Sequence, residues 1–163
     1  MDFSEHKVKK LLLTPEMAEH KIKQWCAYQE RSQNETRRKL WEYRLSEKTI
    51  EHIISNLIAE NFLNDERFAL ALAGGKFRIK HWGKIKIKME LRKHKISEYS
   101  IIKALKSIDG DDYINILTLV LEKKIRQTKA KDKQKLYYST LNYAVSKGFE
   151  SDLAKEELNK LLK

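Results

Sequence analysis

Residues 40–47 read Leu-Trp-Glu-Tyr-Arg-Leu-Ser-Glu, and residues 91–98, 51 positions on, read Leu-Arg-Lys-His-Lys-Ile-Ser-Glu. In both, an apolar residue is followed five positions later by a second one, then by Ser-Glu and a helical apolar pattern. A weaker third copy lies 53 positions further, at residues 144–151, Ala-Val-Ser-Lys-Gly-Phe-Glu-Ser. Self-similarity at a period of about 50 residues marks one supersecondary unit used several times, each copy leaning on its neighbours. The expected fold is therefore all-α, an elongated array of three tandem three-helix repeats. Such a chain works through surfaces more than through pockets.

Local signals place the helices. Thr14-Pro15-Glu16 supplies a cap, a proline at the first helical position and an acid in the first turn. Ser32 and Glu35 form a capping-box pattern, and Ser46 and Ser97 precede the strongest apolar stripes. Those stripes are Ile50, Ile53, Ile54, Leu57, Ile58 and Ile101, Ile102, Leu105, Ile108. Residues 64–66 and 109–112 place acids at two further helix starts, and Gly148 before Phe149 reads as a helix stop. The predicted helices cover about 15–30, 33–43, 47–61, 65–80, 84–94, 98–107, 111–127, 133–147 and 151–162. Grouped in threes they give repeats at 14–63, 64–108 and 109–163 after an N-terminal arm, 1–13. With one Pro and five Gly, the chain has little material for the turns of a β protein.

One stretch pulls the other way. Between residues 76 and 92 apolar and polar residues nearly alternate, and Trp82-Gly83 offers a turn for a basic hairpin. An isolated two-stranded hairpin is barely stable in water, and the matching segment 35–43 does not alternate, so helix is the reading here. Gly74-Gly75 then falls inside a helix and suggests a kink or a close helix contact.

Chemistry-bearing motifs are missing. The sequence contains no G-x-S-x-G, P-loop or G-x-G-x-x-G pattern, so neither a catalytic residue nor a cofactor is expected, and the chain is not read as an enzyme. No two of the five histidines stand at i,i+4; His6, His20, His81 and His94 read as surface residues and His52 faces away from the isoleucine stripe. Asp109, Asp111 and Asp112 fit a helix start better than a calcium loop, whose glycine and twelfth-position glutamate are not in place; Val120 holds that position. No metal is expected. Cys26 is the only cysteine, in keeping with a reducing cytosol, and Trp25, Cys26 and Tyr28 read as interior packing. Leu11-Leu12-Leu13 is too short for a signal or a span. A soluble, cytoplasmic, monomeric protein is expected.

The net charge of +11 is concentrated. Residues 1–75 hold 12 basic and 12 acidic side chains, residues 107–163 hold 11 and 9, and residues 76–106 hold 11 and 2. Solubility alone does not require such focus, which points to an anionic partner, nucleic acid or an acidic protein surface. The candidate contact residues are Lys76, Arg78, Lys80, Lys84, Lys86, Lys88, Arg92, Lys93 and Lys95. Phe77 and Trp82, set among them, read as core, with base stacking as the alternative. A second basic run, 123–135, has seven basic residues and one acidic, and reads as a solvated connector between two helices.

Residues 62–69, Phe-Leu-Asn-Asp-Glu-Arg-Phe-Ala, resemble the hallmark of the RecX family, bacterial regulators of the RecA recombinase. Residues 32–40 resemble that family's first conserved block, and Gly83, Ile87, Leu91 and Ile96 its second. The chain departs from the family at Arg44 and Lys95, where glycine is common before the apolar residue that ends each second helix; Gly148 keeps the pattern. Gly74-Gly75 replaces bulkier residues. The resemblance implies three tandem three-helix repeats. It also implies binding of the RecA filament, mainly inhibiting its ATPase, strand-exchange and co-protease activities in DNA repair, recombination and the SOS response, with direct contact to single- or double-stranded DNA in some members. Phe68 is expected to pack between repeats, with Asp65 and Glu66 favouring the helix start. The alternative is an autonomous nucleic-acid-binding helical module.

Overall fold

The structure, a computed structural model, describes residues 13–129 and 131–163; the expected arm lies outside them but for Leu13. Among the described residues there are nine helices and no strand: α1 Pro15–Tyr28, α2 Gln33–Trp41, α3 Glu47–Ala59, α4 Asp65–Lys80, α5 Lys84–Lys93, α6 Glu98–Lys106, α7 Gly110–Gln127, α8 Lys133–Ser146 and α9 Ser151–Leu161. The starts follow the caps. Thr14, Ser46, Ser97 and Asp109 each accept a first-turn amide, and Ser32 and Glu35 close a reciprocal capping box. The alternating stretch 76–92 is helical on both sides of a break at His81, whose φ is 55°.

The sequence echo has a physical cause. Its two apolar residues, five apart, are buried in every copy: Leu40 and Leu45, Leu91 and Ile96, Ala144 and Phe149. The residue before the second one takes a left-handed conformation each time, with φ of 57° at Arg44, 56° at Lys95 and 100° at Gly148. At the third copy the Phe149 amide donates to the Ala144 carbonyl and the Gly148 amide to the Val145 carbonyl, the Schellman pattern. Arg44 makes the matching bond to Trp41. The echo is thus a helix stop fused to the next helix start, since Ser46 and Ser97 cap the helices that follow. Two of the three copies hold a long basic residue where glycine is the unstrained choice.

The chain divides into two compact units: residues up to Phe68 with His94–Ile96, and Ala69–Lys93 with Ser97–Lys163. In the first, Ile22, Leu40, Ile50, Ile53, Ile54 and Leu57 are the centre of a core against which Trp25 and Phe62 pack. In the second, Ile87, Leu91, Ile101, Leu117, Phe149 and Leu158 are fully buried. The buried stripes are one residue narrower than the sequence suggests: Ile58 and Ile102 are 43% and 49% exposed. Each follows a buried residue directly and so sits about 100° around the helix from it. Tyr28, expected inside, is 83% exposed, being the last residue of α1. A Cβ at Gly75 would meet nothing within 4 Å, and the atoms nearest to one at Gly74 are those of the Arg78 guanidinium on the same helix.

Each unit contains one version of the same joint. In the second unit the start of α5 sits on the α8–α9 turn, backbone to backbone. Gly83 N–H donates to the Lys147 carbonyl at 2.8 Å and Ile85 N–H to the Gly148 carbonyl at 3.0 Å. Lys84 N–H donates to the Tyr113 hydroxyl at 3.0 Å, which donates to Glu150 at 2.7 Å. Tyr113 also lies against the rings of Phe77 and Phe149. In the first unit the start of α2 meets the turn at His94–Ile96. Ser32 Oγ and His94 Nδ1 are 2.9 Å apart, and Gln33 N–H donates to Asp65 at 2.9 Å. His94 lies against buried Phe68, 4.8 Å between ring centroids, so it is a packing residue and not the surface residue expected. Gln33 and Lys84 are 51 residues apart, and Phe68 and Tyr113 both stand four residues after their N-caps. The geometry recurs while the side chains change.

A Cβ at Gly83 would lie 2.3 Å from the Gly148 carbonyl group. Gly83→Ala should therefore cost about 1–3 kcal/mol in urea unfolding, whereas Gly75→Ala should gain up to about 1 kcal/mol. Equal effects of the two substitutions would contradict the joint. Phe68→Ala should cost about 3–5 kcal/mol; unchanged stability in the same assay would mean that its ring does not hold the first unit together.

Candidate partner-binding surface

The cations of residues 76–95 sit on the second half of α4, on α5 and in the turn after it. No acid stands in the first turn of α5, which begins Lys84-Ile85-Lys86-Ile87-Lys88. Ile87 and Leu91 point into the core and the lysines flank them, so the alternation that suggests a strand is the two edges of a short amphipathic helix.

Trp82 organises part of the surface. It is half-buried, not core, with the ammonium groups of Lys76 and Lys86 at 4.8 Å and 4.5 Å from its ring. The indole thus draws one lysine from each helix to one place, an arrangement favoured by the negative face of the ring. Phe77 is core as expected, 5% exposed and stacked on Tyr113. Lys84 lies over the Tyr113 ring at 4.9 Å. The hydroxyl of Tyr113 resists ionisation because it is buried and faces Glu150, against the opposing help of the Lys84 amide.

The remaining candidates differ in how far they are free to act. Arg78 and Lys80 are exposed, and the Arg78 guanidinium lies near Gly74. Lys88 is half-buried, Arg92 pairs with Glu98 at 2.9 Å, and Lys93 is 3.8 Å from Glu90. Lys95, exposed at its left-handed turn, belongs to the first unit; the other eight belong to the second. A residue that sequence spacing does not reveal is Lys147, whose ammonium donates to the Lys80 carbonyl at 2.6 Å. Burial, and then the neighbouring Lys86, Lys123 and Lys80, make it easier to deprotonate than an ordinary lysine.

Apolar side chains interrupt the charge. Ile79 is 78% exposed, and Ile85, Met89 and Tyr99 are exposed as well. An apolar centre within a polar rim is the anatomy of a protein interface. Cys26 remains a packing residue, buried and with its thiol pushed up by that burial. No three histidine, cysteine or acidic groups cluster among the described residues, and no helix there is long and apolar enough to cross a membrane.

Arg92 holds the Glu98 carboxyl below the ordinary glutamate range. The pair favours the folded chain above the normal glutamate pKa and loses that contribution as pH falls through the depressed value. In an NMR pH titration the Glu98 midpoint should lie low and rise in Arg92→Ala. A midpoint that does not move would show that Arg92 is not engaged there.

Three comparisons set this geometry among known proteins. Residues 64–105 match the family model for the second three-helix domain of RecX. The chain is 32% identical over 133 residues to the regulatory protein RecX of Clostridium perfringens (strain 13 / Type A), covering 80% of this chain and 62% of that protein. To the RecX of Clostridioides difficile (strain 630) it is 30% identical over 116 residues, covering 71% and 55%. It therefore spans little more than half the length of these curated relatives. The crystal structure of RecX from Lactobacillus salivarius superposes with a TM-score of 0.80 over 90% of this chain and 96% of that one. At 20% identity that likeness concerns the fold. Sequence and fold agree in the likeness they show: the matching domain model, the curated relatives and the superposed structure are all RecX regulatory proteins.

Proposed function

We propose that this chain binds the RecA recombinase filament and modulates it, mainly by inhibition of its ATPase, strand-exchange and co-protease activities in DNA repair, recombination and the SOS response. It acts by binding, without chemistry of its own, in the cytoplasm and as a monomer. On this reading the repeats run 14–63, 64–108 and 109–163, and the middle one makes the main contact.

One observation carries the placement. The segment that matches the RecX second-domain model holds most of the excess positive charge, and its cations surround exposed Ile79, Ile85 and Met89. Apolar centres ringed by cations suit a protein partner with an acidic rim better than a bare phosphate backbone, which needs no apolar contact. Opposite charge would steer the encounter, and burial of the apolar residues would supply affinity. The names of the relatives, regulatory proteins throughout, agree with a role in control.

Replacing Lys84, Lys86, Lys88, Arg92 and Lys93 together by Glu should abolish inhibition of RecA ATPase on single-stranded DNA. Circular dichroism and a thermal melt serve as the control for folding. Inhibition retained at physiological salt by the folded variant would move the contact elsewhere.

A further inference from the structure

We propose a phosphate-binding pocket formed by α7, α8 and the end of α4, at the margin of the apolar-basic surface described above, with which it shares Lys147. A cavity of about 240 Å³ is lined by His81, Lys123, Arg126, Tyr143 and Lys147 together with Leu119 and Val120. Its volume is below the roughly 300 Å³ at which pockets for drug-sized molecules begin, and suits a small anion. The walls carry two lysines, an arginine and a histidine, and no carboxylate.

The pocket gathers charge from distant parts of the chain. Lys123 and Arg126, three residues apart, project from one side of α7; Lys147 follows α8; His81 follows α4. Lys147 is crowded by Lys80, Lys86 and Lys123 as well as half-buried, and is easier to deprotonate for both reasons. None of these cations has an ion pair within the described residues, whereas Arg92 and Lys93 do. Like charges held together without a counter-ion raise the free energy of the empty site, and a bound anion relieves it. Lys147 is also positioned: its bond to the Lys80 carbonyl fixes the ammonium and uses one of three donors. Arg126 brings a fork matched to two oxygens of a phosphate. Tyr143, with Lys124 at 5.0 Å from its ring, adds an aromatic wall.

The ligand class is the phosphate group, either from a nucleic-acid backbone or free. The basic run 123–135 thus has a use at its first turn that composition alone does not show. The pocket stands independently of the RecA reading, since none of the five residues reversed to test that reading lines it.

The test is an amide chemical-shift titration of the full chain with a short oligothymidylate and, separately, with inorganic pyrophosphate. Shifts centred on Lys123, Arg126 and Lys147 are expected. The double variant Lys123→Glu, Arg126→Glu, both exposed positions, should bind the oligonucleotide about tenfold or more weakly. Its affinity should also fall less steeply with salt, by about 0.7 in log–log slope for each phosphate no longer neutralised. Strong shifts with the oligonucleotide identify backbone phosphate as the source; shifts with pyrophosphate alone identify free phosphate, and either supports the pocket. Shifts at none of the three residues with either probe, or an unchanged affinity of the double variant, at unchanged melting temperature, for whichever probe shifts them, would overturn it.

Discussion

The structure turns on how a helix start is seated on a left-handed turn. A helix begins with amides that have no partner inside the helix. Here the early amides of α2 and α5 are satisfied by other parts of the chain, Gln33 by Asp65 and Lys84 by Tyr113. At Gly83 and Gly148 the seating is so close that a Cβ on either would strike backbone. At Ser32 the contact is made through a side chain, to His94. The first form depends on the absence of side chains and the second on a hydrogen bond and a ring, so they tolerate different substitutions.

The surface depends on this joint. The amide that anchors the first turn of α5 belongs to Lys84, and Trp82, one residue before Gly83, collects Lys76 and Lys86. Fixing the backbone at Gly83 therefore fixes where several cations stand. Arg92 and Lys93, at the far end of the helix, are held by glutamates and must exchange those partners to meet another. Exposed pairs of this kind contribute little to stability, so the exchange is inexpensive.

Much of this is legible in the sequence because short-range rules set helix ends. The caps at Thr14, Ser32, Ser46, Ser97 and Asp109 and the stop at Gly148 depend on residues a few positions apart, and the predicted helices start within one residue of those observed. The echo is legible as a period, but its cause is not. Arg44 and Lys95 hide the cause, because a left-handed turn at a basic residue leaves no glycine to see. Stripe edges fail at Ile58 and Ile102, where hydrophobicity does not say which side of a helix is covered. Trp82 reads as core for its size, whereas the two lysines on its ring keep it at the surface. His94 and Lys147 act through partners more than 60 residues away, a separation that no local pattern encodes.

The central claim is that the middle repeat presents a mixed apolar and basic face to a protein filament. The most direct measurement compares binding of the fluorescently labelled chain to RecA assembled on single-stranded DNA with binding to the same DNA bare, at physiological salt. Tight binding to the filament beside weak, steeply salt-dependent binding to bare DNA is the predicted result. Equal affinity for the two would contradict the claim and leave a nucleic-acid-binding module in its place.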